Sequence, residues 1–473
     1  MSINFFPYNF EKINDKHYLI TSQAGDFFFC NEENFQKMIS KELDQKFTNF
    51  LLKKNFIFKE QGDFHWDNFK YKILKRKILP KTIGYYMIVP TLRCNLNCSY
   101  CQVSRVDENT KGYDWSDETV DSFLHFVENN SLNKIKIEFQ GGEPTLRIDI
   151  IEKIINWCEK KNIDAEFAIC TNLITLNKDI ERVIANEKVH ISTSIDGGAD
   201  IQNAQRANSK ELTSQFFKNF DYITNKYGIE KISALPTFHN FEQIKPTIDF
   251  YYSLGLRTIY LRPVNFQGFA RKKHPESKSQ VDIWNKYYFD ALNYIFENNY
   301  KNKNSFIMEF SFATNLRRIF QKGSNGHLDI RNPNFAGRDN FIVDFDGKLY
   351  PSDEARMISR IGLVDLSMGD IFKGSDKEKI ANYNWNQISD VNPDCIHCSF
   401  QPYCGIDNVD DLSRYNRIDL PKNQTNFCNN HISKFRDIFS RISSNDPVNT
   451  FNLTGHLTNI FSLNPPFSGI VYD

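Results

Sequence analysis

A chain of 473 residues is long enough for two or three domains, each with its own core. Lysine plus arginine equals aspartate plus glutamate, 58 against 58, and no basic run stands out, so composition argues against a nucleic-acid partner or an anionic membrane surface. The N-terminus, Met1-Ser2-Ile3-Asn4-Phe5-Phe6-Pro7, lacks the charged and apolar regions of a signal peptide, and no apolar stretch approaches the ~18 residues of a membrane helix. The ten cysteines gather mostly in two clusters, which fits metal binding in a reducing cytoplasm better than disulfides.

Residues 1–80 read as a separate small unit. His17-Tyr18-Leu19-Ile20 and Asp26-Phe27-Phe28-Phe29-Cys30 flank Ala24-Gly25 as a hairpin. Phe35, Met38, Ile39, Leu43, Phe47, Phe50, Leu51 and Phe56 then recur at roughly helical spacing. A hairpin followed by helices resembles the leader-peptide recognition domain of peptide-modifying enzymes, where an edge strand captures substrate by β-addition; a plain structural cap is the other reading. Phe69 to Pro80, with five Lys/Arg, reads as a linker or an exposed helix.

Within residues 81–330, strand-like and helix-like runs alternate, the mark of βα units on a parallel sheet. The expected strands are Tyr85–Val89, Ile135–Phe139, Glu166–Cys170, His190–Ser194, Lys231–Leu235 and Thr258–Arg262. Six are too few for a closed eight-stranded barrel, so the expected fold class is α/β with an open, partial barrel whose chemistry sits at the C-terminal strand ends. Ile150, Ile151, Ile154, Ile155 and Cys158 keep a period near 3.6, which makes Cys158 a core thiol; Cys170, closing a strand, reads as structural unless it faces the lumen.

Directly after the first strand, Cys94, Cys98 and Cys101 are spaced C-x3-C-x2-C in a polar loop, with Tyr100 just before the third. A structural zinc site wants four protein ligands, whereas three thiolates suit a [4Fe–4S] cluster that leaves one iron without a protein ligand. The spacing resembles the radical SAM signature. By that resemblance the three cysteines hold the cluster, Tyr100 lies beside the adenine, and the open iron chelates S-adenosylmethionine. Reductive cleavage of its C5′–S bond then gives a 5′-deoxyadenosyl radical that abstracts hydrogen from a substrate.

Further runs at strand ends extend the resemblance. Gly141-Gly142-Glu143 after the second strand resembles the motif holding the cofactor's amino group, and Thr171-Asn172 a pair lining the same pocket. Ser194-Ile195-Asp196-Gly197-Gly198 with Arg206 resembles the run of the peptide-modifying branch, the serine meeting the ribose and the arginine the carboxylate; that branch usually has proline where Gly198 stands. Arg206 could equally be a surface ion-pair partner. Asn265 and Gln267, past the sixth strand, are substrate-contact candidates.

Residues 331–445 change pattern. Phe341–Phe345 and Lys348–Tyr350 around Asp346-Gly347 read as a hairpin. Cys395, Cys398, Cys404 and Cys428 follow, and spacing alone leaves structural zinc and a second iron–sulfur cluster both open, with His397 an exposed neighbour. The region resembles a SPASM or twitch extension, departing from the full pattern at Ser352 and Asn408 where cysteines would stand. The resemblance therefore implies one auxiliary [4Fe–4S] cluster, fully ligated by the four cysteines. Residues 446–473, with Pro465-Pro466, read as a loosely packed tail.

The whole chain resembles the radical SAM/SPASM peptide maturases. Cys101-Gln102-Val103-Ser104-Arg105, Arg262-Pro263-Val264-Asn265-Phe266-Gln267-Gly268 and Pro402-Tyr403-Cys404-Gly405 are closest to the maturase of the His-Xaa-Ser repeat peptide system. The resemblance implies a ribosomally synthesised peptide substrate, partner proteins of its modification system, a flavodoxin- or ferredoxin-type reductant, and a post-translational modification of unspecified bond. The alternatives are a formylglycine-type sulfatase maturase and a non-catalytic zinc-binding scaffold that delivers a peptide to another enzyme.

Overall fold

A computed structural model describes residues 3–78, 81–131, 134–320, 335–458 and 469–473; Pro80, Pro465 and Pro466 lie outside them. A seven-stranded sheet organises the chain, in the order Ile232–Ala234, Val189–Thr193, Asp164–Cys170, Lys134–Gly141, Tyr85–Thr91, Asn340–Val343, Leu349–Tyr350. The first six run parallel, and the last closes an antiparallel hairpin on its neighbour. Five expected strands thus lie side by side, and the hairpin expected after residue 340 extends the same sheet.

Alternation along the strands separates two environments. Ile135, Ile137 and Phe139 are buried outward against Val120, Phe123, Val127, Ile151 and Ile154 of the flanking helices Asp117–Asn130 and Ile148–Lys160. Lys136, Glu138 and Gln140 alternate with them and line the concave side. Cys158 packs in the outward core, 1% exposed, where burial pushes its thiol up to about 12.

The sixth expected strand departs from the reading. Only Thr258–Ile259 is strand, and it pairs with Met308–Glu309 instead of joining the sheet. The next ladder position is taken by a side chain: the Leu261 N–H donates to the Glu309 carboxylate at 3.1 Å. A single bridge, Phe238 to Pro263, connects this segment to the chain following Ile232–Ala234.

The tail is likewise corrected. Pro447–Thr458 is a helix that packs among Val281–Lys301, Phe310–Phe320 and Asn426–Ser443. Its polar residues are interior: Asn452 and His456 are both 0% exposed, and His456 Nε2 accepts from the Glu309 N–H at 3.0 Å. Val471–Tyr472 then adds to the N-terminal sheet, whose order is Val471–Tyr472, Phe27–Cys30, Tyr18–Ser22, Tyr8–Lys12.

The N-terminal unit holds its own core around Phe28, Met38, Phe47 and Phe56 and also leans on the C-terminal region. Asn9 Nδ2 donates to the carbonyls of Ile396 and Cys398 at 2.9 and 3.1 Å, and Phe27 meets Phe439 edge-on at 5.2 Å. The segment expected from Phe69 as a linker or exposed helix belongs, up to Arg76, to the helix Phe64–Arg76, whose Arg76 donates to the Pro402 carbonyl at 3.1 Å.

Candidate active site

The cysteine loop is tied down before its first sulfur. Thr91 Oγ1 and Arg93 Nε both donate to Asp114 Oδ1, at 2.5 and 2.8 Å, and the Val106 N–H donates to the Leu92 carbonyl at 2.9 Å. The Cys98 carbonyl then accepts from Cys101 N–H at 3.3 Å, closing a turn that brings the three thiols to one wall. Cys94, Cys98 and Cys101 are half-buried and line a single cavity of about 1090 Å³ with Tyr100, Gly141, Gly142, Asn172, Ser194, Arg206, Asn265 and Gln267. Burial pushes the Cys94 and Cys101 thiols up to about 12 and about 11, and Cys94 feels Cys98 and Cys101 as charged neighbours.

The paired glycines serve packing. A Cβ on Gly142 would sit 2.2 Å from the Arg93 carbonyl oxygen, and one on Gly141 2.2 Å from that of Thr91. Only glycines let the second strand's end close against the root of the cysteine loop, where Gly142 and Glu143 N–H groups donate to Thr91 and Arg93 carbonyls at 3.0 and 2.8 Å.

Glu143 turns away from the cavity. It is 1% exposed; Oε1 accepts from the Thr145 N–H (3.1 Å) and hydroxyl (2.6 Å), and Oε2 from the Asn172 N–H (2.7 Å). Both oxygens clamp the second strand end to the third, which differs from an acid receiving a ligand's ammonium group. Glu143→Gln should therefore destabilise the cofactor-free chain by about 1–3 kcal/mol, since one buried N–H loses its acceptor. Denaturant unfolding checks this; unchanged stability without cofactor would return Glu143 to a ligand-binding role. Asn172 completes the clamp by donating to Asn95 Oδ1 within the cysteine loop at 2.7 Å.

Tyr100 is fixed from both sides. Its hydroxyl donates to Asp196 Oδ2 at 2.6 Å and accepts from Arg206 at 2.7 Å. Asp196 is fully buried and also accepts from the Thr237 N–H at 3.0 Å. Burial raises its carboxyl, opposed first by the Arg206 guanidinium. Arg206 sits on a π-turn, Asn203–Ala207, inside the cavity wall, so the surface ion-pair reading is set aside. Gly198 adopts φ −63°, ψ 175° with open space around its Cβ position. That is the proline conformation, so Gly198→Pro should raise stability by about 0.4–1 kcal/mol, read in the same unfolding experiment.

Past the sixth segment, the Gln267 side chain is 2% exposed, lines the cavity, and its Oε1 has no hydrogen-bond partner. Thr193 Oγ1 is equally unpartnered there. Sequence reasoning missed Glu138 and Lys434 on the same walls. Glu138 accepts from Tyr85 (2.9 Å), Gln140 (2.6 Å) and the Cys170 thiol (3.3 Å), so Cys170 does face the lumen. The period-2 pattern of Lys136, Glu138 and Gln140 on a parallel strand was the available signal for that polar lumen. Lys434, 8% exposed, donates to Ser311 Oγ at 3.0 Å, and burial pushes its ammonium down to about 8.

The second cysteine group sits where that lysine's helix begins. Cys428 is in the first turn of Asn426–Ser443, its N–H donating to the Thr425 cap. Cys395, Cys398 and Cys404 lie in successive turns facing it, and each thiol is raised first by burial and then, for Cys395 and Cys404, by its cysteine neighbours. His397 is exposed. Ser352 caps the helix Asp353–Arg360, and Asn408 accepts from the buried Lys422 ammonium at 3.1 Å, so both positions where the fuller pattern has cysteine carry structural hydrogen bonds. Among the described residues, no three Cys, His, Asp or Glu side chains converge on a point that would hold one metal ion. A [4Fe–4S] cluster spreads its thiolates over separate irons, and three soft donors on one cavity wall plus four on facing turns fit that demand.

Residues 88–251 match the Radical SAM superfamily, so the chain carries a radical SAM domain and is an enzyme whose cofactors are S-adenosylmethionine and an iron–sulfur cluster. Its further cysteines are consistent with an auxiliary cluster. A cysteine-type anaerobic sulfatase-maturating enzyme of Clostridium novyi is 25% identical over 341 residues, covering 68% of this chain and 87% of the relative. An uncharacterised protein of Methanocaldococcus jannaschii is 29% identical over 204 residues, 41% of this chain and 67% of its own. The solved structure of native anSMEcpe with bound AdoMet shares the fold, with a TM-score of 0.58 at 19% identity over 76% of this chain and 98% of that one. No described helix is long and apolar enough to cross a membrane.

Proposed function

We propose that this radical SAM enzyme installs a post-translational modification on a ribosomally synthesised peptide, as a maturase of the His-Xaa-Ser type. Cys94, Cys98 and Cys101 hold the cofactor-binding [4Fe–4S] cluster, and Cys395, Cys398, Cys404 and Cys428 hold one auxiliary cluster. The bound cofactors supply reductive cleavage of a sulfonium and hydrogen abstraction. Around them, Gly141 and Gly142 bring the backbone close, Ser194 and Arg206 offer a hydroxyl and a guanidinium, and Tyr100 presents a ring locked by Asp196. Asn172 holds the cysteine loop through Asn95.

One observation carries the reading. The cavity that starts at Cys94, Cys98 and Cys101 ends at Phe427, Asn430, His431 and Lys434, on the helix that bears Cys428. At about 1090 Å³ it exceeds the space a single small ligand fills, which leaves room for a peptide residue beside the cofactor. The unpartnered Gln267 Oε1 and Thr193 Oγ1 are placed to receive donors from that residue. The solved anSMEcpe structure with bound AdoMet and the Kp18Cys peptide supports a peptide occupant. Ser352 and Asn408, with their own structural bonds, argue for one auxiliary cluster and against the sulfatase-maturase alternative, a branch that normally carries the full cysteine set.

The test is co-expression with candidate substrate peptides encoded beside the enzyme, followed by mass spectrometry. A mass change on one peptide that Cys98→Ala abolishes is the expected result. Cofactor cleavage without any peptide change would leave the enzyme class standing and remove the peptide assignment.

A further inference from the structure

Lys434 is a cation that the fold buries without a counter-ion. It is 8% exposed, stands on the helix Asn426–Ser443, and lines the cavity at the end away from Cys94, Cys98 and Cys101. Its ammonium donates to Ser311 Oγ at 3.0 Å and lies 4.7 Å from the centre of the Tyr288 ring, and it makes no ion pair among the described residues. The Glu309 carboxylate is near enough to favour the charged form, but both its oxygens are committed elsewhere. Oε1 accepts from the Leu261 N–H at 3.1 Å, and Oε2 from the Tyr288 hydroxyl at 2.8 Å and the Phe312 N–H at 2.7 Å. On the facing helix Phe310–Phe320, Ser311, Thr314 and Arg317 line the same cavity. Arg317 likewise makes no ion pair among the described residues, and its Nη2 donates only to a weak acceptor, Met308 Sδ, at 3.4 Å.

A buried ammonium is costly unless an anion meets it, and burial alone pushes this one down to about 8. An ammonium carries three donors and Ser311 takes one, so two remain for a ligand. The Ser311 oxygen accepts from Lys434, which leaves its own proton free to donate. A carboxylate fits this set: it brings the missing charge and enough lone pairs for an ammonium and a hydroxyl together. We propose that Lys434, with Ser311, Thr314 and Arg317 facing it, forms a carboxylate-binding subsite at this end of the cavity, where the peptide substrate seats an acidic side chain or its C-terminal carboxylate. That the carboxylate belongs to a peptide rests on the function proposed above; that the subsite takes a carboxylate rests on the geometry alone. A peptide that is neutral at this position leaves the cation unpaired on closing the cavity, so the subsite selects against it.

The experiment reads Lys434 directly. Anaerobically reconstituted protein is acetylated with trace acetic anhydride at pH 8, near the value to which burial lowers this ammonium. The peptide carrying residue 434 is then quantified by mass spectrometry against that of the exposed Lys41. Three probes are titrated in: N-acetylaspartic acid amide for a side-chain carboxylate, N-acetylalanine for a C-terminal one, and the neutral N-acetylasparagine amide. A carboxylate seated on the ammonium holds its proton, and each pKa unit gained removes the free amine about tenfold. Saturable slowing at Lys434, to about one tenth and with Lys41 unchanged, is therefore expected from one or both carboxylates, and the stronger names the source. The neutral probe should change nothing. A Lys434 that never acetylates does not open on the cavity, and that result would overturn the proposal. So would no slowing by either carboxylate, equal slowing by the neutral probe, or slowing that never levels off. No turnover is read, so a failure here leaves the peptide-modifying reading standing, and an unmodified peptide in the co-expression test leaves the subsite standing.

Discussion

Cys98→Ala is expected to bind about four irons per chain after anaerobic reconstitution, against about eight for the unaltered protein, and to release no 5′-deoxyadenosine with S-adenosylmethionine and dithionite. Cys98 lines the cavity, and its main-chain carbonyl, which alanine keeps, is what binds Cys101 N–H and Lys273 Nζ. The substitution thus removes a sulfur without removing the loop's ties. Cys395, Cys398, Cys404 and Cys428 lie on other segments, so the share of the iron proposed for them should be retained. An iron count with product analysis reads both effects. A variant that keeps eight irons, or keeps releasing product, would mean that Cys98 is not a cluster ligand.

Gly268→Ala is expected to cost about 3 kcal/mol and to halve iron loading, although a glycine offers no side chain to iron. Gly268 has φ +47°, and a Cβ there would sit 1.7 Å from the Gln102 carbonyl oxygen. Backbone meets backbone at that point, so no rotamer change relieves the clash. The adjoining Ala270 N–H donates to the Cys101 carbonyl at 3.1 Å, and Tyr100 packs with Val264 and Ala270. Whatever shift accommodates the methyl group therefore moves the third cysteine. Unfolding and iron analysis check the two halves separately. Normal iron content in a destabilised variant would uncouple this segment from the cysteine loop.

The sequence carried the elements whose signal is local. Cysteine spacing marked both groups, strand alternation such as Ile135, Ile137, Phe139 gave the sheet, and the 3.6 period placed Cys158 in the core. What escaped was non-local. Asn340–Val343 lies about 250 residues beyond its partner Tyr85–Thr91, and no periodicity announces such a pairing. The sixth strand stopped short because a buried carboxylate, Glu309, took the place of a ladder bond. Pro447–Thr458 looked like a tail because Asn452 and His456 are polar. Asn452 is satisfied inside by the Phe296 carbonyl and Asn299, and burial drives His456 down to about 3, so it packs as a neutral ring. Glu143 carries a role the sequence does not announce: an acid beside two glycines suggests a ligand contact, and the positions of Thr145 and Asn172 reveal a clamp between strand ends.

The central claim is that three thiols on one cavity wall make this chain a cleaver of S-adenosylmethionine. Incubating anaerobically reconstituted protein carrying about eight irons per chain with S-adenosylmethionine and dithionite, then quantifying 5′-deoxyadenosine by chromatography, tests it most directly. Steady release is the predicted result. None from a fully loaded sample would contradict the account.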